Sequence, residues 1–215
     1  HIEAVLQLSQ LGQEGGHAVA DVLLGKTTPE GKLTATWARR YTDYPCAESF
    51  SYLDGGLEKA VYREGIYVGY RYFDSFGVQP LFPFGYGLSY TDFSLRFAGL
   101  RVGADAIEVD VEVENAGICF SGREVAQVYI SCPQNGGAKE LRRLAGFAKT
   151  RLLAPEQRQT LTICIPQKQL ATFAAQKQGW VVEQGLYGVW VGNSSAAVTL
   201  CAQIRVEADT LIEQT

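Results

Sequence analysis

At 215 residues, 47% hydrophobic and 20% charged, the chain has room for one large domain or two small ones, each with a buried core. Its 19 Lys and Arg against 23 Asp and Glu leave a net charge of -4, so no positive field is available to neutralise phosphates. No apolar run nears the roughly 18 to 20 residues of a membrane helix. Neither nucleic acid nor a membrane is expected as a partner.

The chain starts at His1 and contains no Met, which suggests a piece of a longer polypeptide, His1 itself being compatible with a tag remnant. Ile2 to Leu8 then reads as a core strand or helix end taken from its context. Residues 15–24 place Ala18, Val19, Val22 and Leu23 on one helical face, with Gly25 as the stop and Glu14 suited to the positive N-terminal end. Pro29, Gly31, Pro45, Gly55 and Gly56 make residues 26–61 loops with short extended pieces. Residues 62–90 hold ten aromatics among five glycines and two prolines, too many rings for a solvated linker and too many breakers for a regular helix. An irregular, well-packed connector is expected there, a sugar-stacking platform being the alternative.

At Thr91-Asp92 the hydrophobic period changes. Ile107, Val109, Val111 and Val113 alternate with Glu108, Asp110, Glu112 and Glu114, the pattern of a half-buried strand. Further strands are expected at 93–101, 123–131, 140–149, 157–165, 186–191 and 198–206. Seven short strands predict a two-sheet, immunoglobulin-like sandwich. The expected division is 1–61, a connector at 62–91, and a β-sandwich at 92–215.

Chemistry is harder to find. The five cysteines are odd in number and widely spaced, which argues for free thiols in a reducing compartment, the cytoplasm, rather than a disulfide framework or zinc site. His17 is the only internal histidine and has no GxSxG elbow beside it, so it reads as a surface or interface residue. Gly65/Gly69 and Gly85/Gly87 lack the strand-to-helix setting of a phosphate loop and read as turn or packing glycines. Glu108, Asp110, Glu112 and Glu114 share a strand face and read as a solvated surface, although glycoside hydrolysis needs such carboxylates in pairs. Asn193-Ser194-Ser195 fits a glycosylation acceptor but reads as an ordinary turn. No catalytic, substrate-binding or metal-ligating residue is assigned, and no cofactor is expected.

The stretches GQEGGHAVADVLLGKTTPEGKLTATW (12–37), REGIYVGYRYFD (63–74) and PLFPFGYGLSYTDF (80–93) resemble the closing part of the α/β sandwich domain of glycoside hydrolase family 3. REVAQVYIS (123–131), KELRRLAGFAKTRLLAPEQRQTLTICIP (139–166) and GLYGVWVGNSS (185–195) resemble the fibronectin type III-like domain that follows it. The resemblance implies an α+β fragment, the terminal part of an α/β sandwich domain, joined to an all-β fibronectin type III-like sandwich. It also implies a parent that acts on β-linked glycosides and supplies its nucleophile and acid/base from a TIM barrel and earlier sandwich segments. Those missing segments are the expected partners. Tyr67, Tyr70, Tyr72, Phe73, Phe82, Phe84 and Tyr86 are then the expected structural interface. The rival reading is a carbohydrate-binding or adhesion module with Trp180, Tyr187 and Trp190 as its aromatic strip.

Overall fold

The computed structural model describes every residue except 1, 51, 52, 54, 56, 57, 60, 136 and 215, so the readings of His1 and Gly56 lie outside the described residues. Helix α1 (Gly15–Leu23) stops where Gly25 takes φ +69° and donates its N–H to the Val22 carbonyl. The preceding stretch does not form the expected strand or helix end. Ile2, Val5, Leu6 and Leu8 are exposed, because no layer of this chain lies against them. Helix α2 (Tyr70–Phe76) corrects the expectation of a wholly irregular connector. Its seven residues contain neither Gly nor Pro, and the breakers Gly69 (φ +58°) and Gly77 (φ +66°) sit at its ends.

The strands are β1 (Phe93–Val102), β2 (Ala106–Asn115), β3 (Val125–Ser131), β4 (Arg143–Lys149), β5 (Arg158–Pro166), β6 (Thr172–Ala174), β7 (Gly179–Val182), β8 (Gly185–Gly192), β9 (Val198–Val206) and β10 (Thr210–Gln214). All their pairings are antiparallel. One sheet has the order β1-β2-β5 and faces another of order β4-β3-β8-β9. Between them lies a single core to which β2 gives Ile107, Val109, Val111 and Val113, β3 gives Ala126, Val128 and Ile130, and β5 gives Leu161, Ile163 and Ile165. Tyr187, Val189 and Val191 enter it from β8. This is the two-sheet, immunoglobulin-like architecture expected of the second half.

The polar side of β2 is laced rather than bare. Arg96 reaches Glu112 and Arg158 reaches Glu114, each at 3.0 Å, while Arg101 binds both Glu108 and Asp110. Opposite charges directly across a strand pair favour this register over a slipped one. The small sheet β6-β7-β10 was not anticipated, since its three- to five-residue pieces are too short to show a period. At the end of β2 the fully buried Asn115 ties three turns together. Its amide donates to the Phe120 and Leu153 carbonyls, and its oxygen accepts from Thr91 and from the Gly117 N–H.

The core assignment predicts a contrast. Ile165→Ala, at a fully buried site, should lower the urea-unfolding free energy by about 2 to 5 kcal/mol. Ile118→Ala, at a site 88% exposed, should change it by about 0.5 kcal/mol or less.

Candidate functional site

Strand β3 differs from β2 in having no exposed side. Ala126, Val128 and Ile130 face the core, yet Gln127 and Tyr129, on the opposite face, are 3% and 0% exposed. What covers them is the segment 67–90. Tyr70 of α2 stacks on Phe84 at 5.0 Å and meets the edge of Tyr129 at 5.7 Å. Its hydroxyl accepts the Leu144 N–H of β4 at 2.7 Å. The Tyr129 hydroxyl donates to the Gln127 side chain at 2.6 Å, and the Gln127 amide donates to the Asn193 carbonyl at 2.7 Å. The buried polar groups of Gln127 and Tyr129 thus find partners within this face, as needed where water is excluded. Burial pushes the Tyr129 phenol well above its ordinary value.

Gly85 and Gly87 allow this approach. Gly85 has φ +81° and a Cβ there would strike the Gln127 amide, while a Cβ on Gly87 would strike the Gly31 carbonyl. The reading of both as turn or packing glycines fits this geometry.

Two ion pairs flank the aromatic centre. On one side Arg142 reaches Asp74 at 2.9 Å, donates to the Ser195 carbonyl, and lies 4.9 Å above the Trp190 ring. On the other, Lys32 reaches Glu124 at 2.7 Å with side chains 14% and 6% exposed, and donates to the Gly87 carbonyl. Glu30 extends this anchor to Arg123 and Lys149. Backbone N–H groups close the clamp, Ser195 donating to the Phe84 carbonyl and Leu141 to the Ser75 hydroxyl.

The seven residues expected at an interface take up three positions. Tyr67, Tyr70 and Phe84 touch the sandwich, Tyr67 by donating to the Lys139 carbonyl. Tyr72 and Phe73 pack with each other, with Phe73 also against Tyr44 and Tyr72 against Phe76. Phe82 stacks on Tyr86 and meets Trp37 edge-on, beside the bridge between Trp37 and Phe82. Asp74, Gln127, Tyr129 and Arg142 were not anticipated. The signal was present in VAQVYIS, whose lack of alternation marks a strand covered on both faces.

The suggested aromatic strip does not exist. Tyr187 is buried in the sandwich core with its hydroxyl on the Glu183 carbonyl, and Trp190 lies under Arg142 with its N–H on Ser131. Trp180 pairs with Phe173 in the small sheet. Glu14 makes no side-chain bond to the start of α1 and instead binds His17 at 2.6 Å, both exposed. Among the described residues no three His, Cys, Asp or Glu converge to hold a metal, and no helix is long and apolar enough to cross a membrane.

Asp110 of β2 is poorly suited to act as a general acid. Arg101 and Thr162 hold Asp110 below the usual carboxylate range, whereas a general acid near neutral pH needs a raised value. Two shallow hollows, of about 300 Å³ at Arg101–Gly103 and about 250 Å³ between residues 25–28 and 119–121, bring no carboxylate pair together beyond this.

The Glycosyl hydrolase family 3 C-terminal domain model matches residues 1–70, and the Fibronectin type III-like domain model matches residues 124–195. A beta-glucosidase of Ruminococcus albus is 38% identical over 218 residues, covering 99% of this chain and 22% of its own. A Kluyveromyces marxianus beta-glucosidase is 38% identical over 207 residues, covering 96% and 24%. The structure of beta-glucosidase 3B from Thermotoga neapolitana in complex with alpha-D-glucose superposes with a TM-score of 0.86 at 41% identity, over 94% of this chain and 28% of that one. The chain thus spans about a quarter of the length of the curated relatives it matches.

Burial holds the Asp74 carboxyl above its ordinary value of 3.8, outweighing the opposing pull of Arg142. The folded chain therefore binds this proton more tightly than the unfolded one. The resulting stability is full below 3.8 and is lost as pH rises through the raised value. Thermal midpoints of wild type relative to Asp74→Asn should accordingly fall as pH rises across that window. A difference that stays flat or grows with pH contradicts the assignment.

Proposed function

The chain belongs to the C-terminal region of glycoside hydrolase family 3, and from that membership we propose that it is the non-catalytic structural portion of a retaining exo-β-glycosidase. The parent removes terminal β-D-glucosyl or related residues by double displacement through a covalent glycosyl-enzyme, without metal or organic cofactor. Its nucleophile and acid/base lie in segments outside this chain. The role of these 215 residues is to end the α/β sandwich domain and brace it with the β-sandwich.

The observation that carries this reading is the clamp. The outer face of β3, within the match at 124–195, meets Tyr70, within the match at 1–70. Aromatic pairs of this kind contribute about 0.5 to 1.5 kcal/mol each beyond their buried area, and the flanking ion pairs add orientation. The arginine-laced carboxylates of β2 support the non-catalytic role, since each has a structural partner. The five free cysteines support a reducing compartment, the cytoplasm, as the parent's location on this reading.

The purified chain, offered aryl β-D-glucoside, β-D-xyloside and β-D-galactoside at high protein concentration, should hydrolyse none of them. Turnover that follows the chain through successive purification steps would overturn the proposal.

A further inference from the structure

The chain has three asparagines, and the fold treats them differently. Asn115 is fully buried with every side-chain bond made, and Asn193 is half-buried with its amide toward Glu124. Asn135 is exposed on the turn between β3 and β4 and is the only one followed by glycine. Position 136 is glycine, which brings no side chain to hinder attack by its backbone nitrogen. The ammonium of Lys139 lies 3.4 Å from the Asn135 backbone carbonyl oxygen. A cation there draws electron density from the Asn135–Gly136 peptide and makes its N–H more acidic. The same Lys139 is 7% exposed and fixed by the Pro133 carbonyl and the Glu183 carboxylate, so its charge is held in place.

We propose that Asn135 is a spontaneous deamidation site of the folded chain. The deprotonated nitrogen of residue 136 attacks the Asn135 side-chain carbon, ammonia leaves with the proton balance supplied by water, and a five-membered imide forms. Water then opens the imide on either side to give aspartate or isoaspartate, with no redox change and no co-reactant but water. The site matters to the clamp because its neighbourhood is shared. The Asn135 amide donates to the Gln184 carbonyl at 2.9 Å, a bond that a carboxylate cannot make. The new charge also competes with Glu183 for Lys139, whose own carbonyl receives the Tyr67 hydroxyl.

The test is peptide mapping by mass spectrometry of the intact folded chain during incubation in mildly alkaline buffer. The expected result is an amide-to-acid mass gain at Asn135, split into two chromatographic forms, while Asn115 and Asn193 stay unchanged. Gly136→Val, which puts a branched side chain next to the attacking nitrogen, should slow it severalfold. Conversion of Asn135 no faster than that of Asn193, or undiminished in Gly136→Val, would overturn the proposal.

Discussion

The structure depends on one constraint, that the outer face of β3 cannot meet water. A strand carrying Gln127 and Tyr129 opposite Ala126, Val128 and Ile130 has two sides to bury, and a two-sheet sandwich covers only one. Segment 67–90 supplies the second cover, and the polar atoms trapped beneath it are paired among Tyr70, Gln127, Tyr129, Asn193 and Leu144. Removing any member would leave a buried donor or acceptor without a partner, at a cost of about 1 to 3 kcal/mol. The four-stranded sheet is thus not a free surface to which a connector happens to adhere. It is an interior layer, with the sandwich core on one side and the aromatic segment on the other.

That arrangement explains how charge is distributed along the chain. Pairs on the exposed β1-β2-β5 sheet, such as Arg96 with Glu112, contribute little to stability and act through register. Pairs at the clamp are nearly closed to solvent and join residues far apart in sequence, Lys32 with Glu124 and Asp74 with Arg142. Buried pairs of this kind specify geometry more than they add stability. On the proposed reading of the chain as a structural portion, geometry is what these pairs contribute.

Much of this was legible in the residues. The alternation of Ile107 to Glu114 marked β2 and its inward face, and Gly25 marked the end of α1. The motifs at 12–37, 63–74 and 139–166 pointed to the family. Other features were not legible, for identifiable reasons. Helix α2 was hidden because Gly69 and Gly77, which end it, read as breakers within it. The strands β6, β7 and β10 are shorter than a recognisable period. Trp190 and Tyr187 stand at opposite parity in β8, and only the cover over Trp190 decides which side is which. Arg142 and Asp74 are 68 residues apart, a distance across which single-sequence patterns carry no pairing information.

The most direct test of the clamp is native-state hydrogen exchange of the whole chain across a denaturant series. If segment 67–90 is an integral layer, the hydrogen-bonded amides of Phe73, Val78, Gly85 and Tyr86 open in the same cooperative event as those of Val128 and Tyr129 in β3. Exchange of the first set at low, denaturant-insensitive protection while β3 remains protected would show that the outer face closes without it, and would contradict the account.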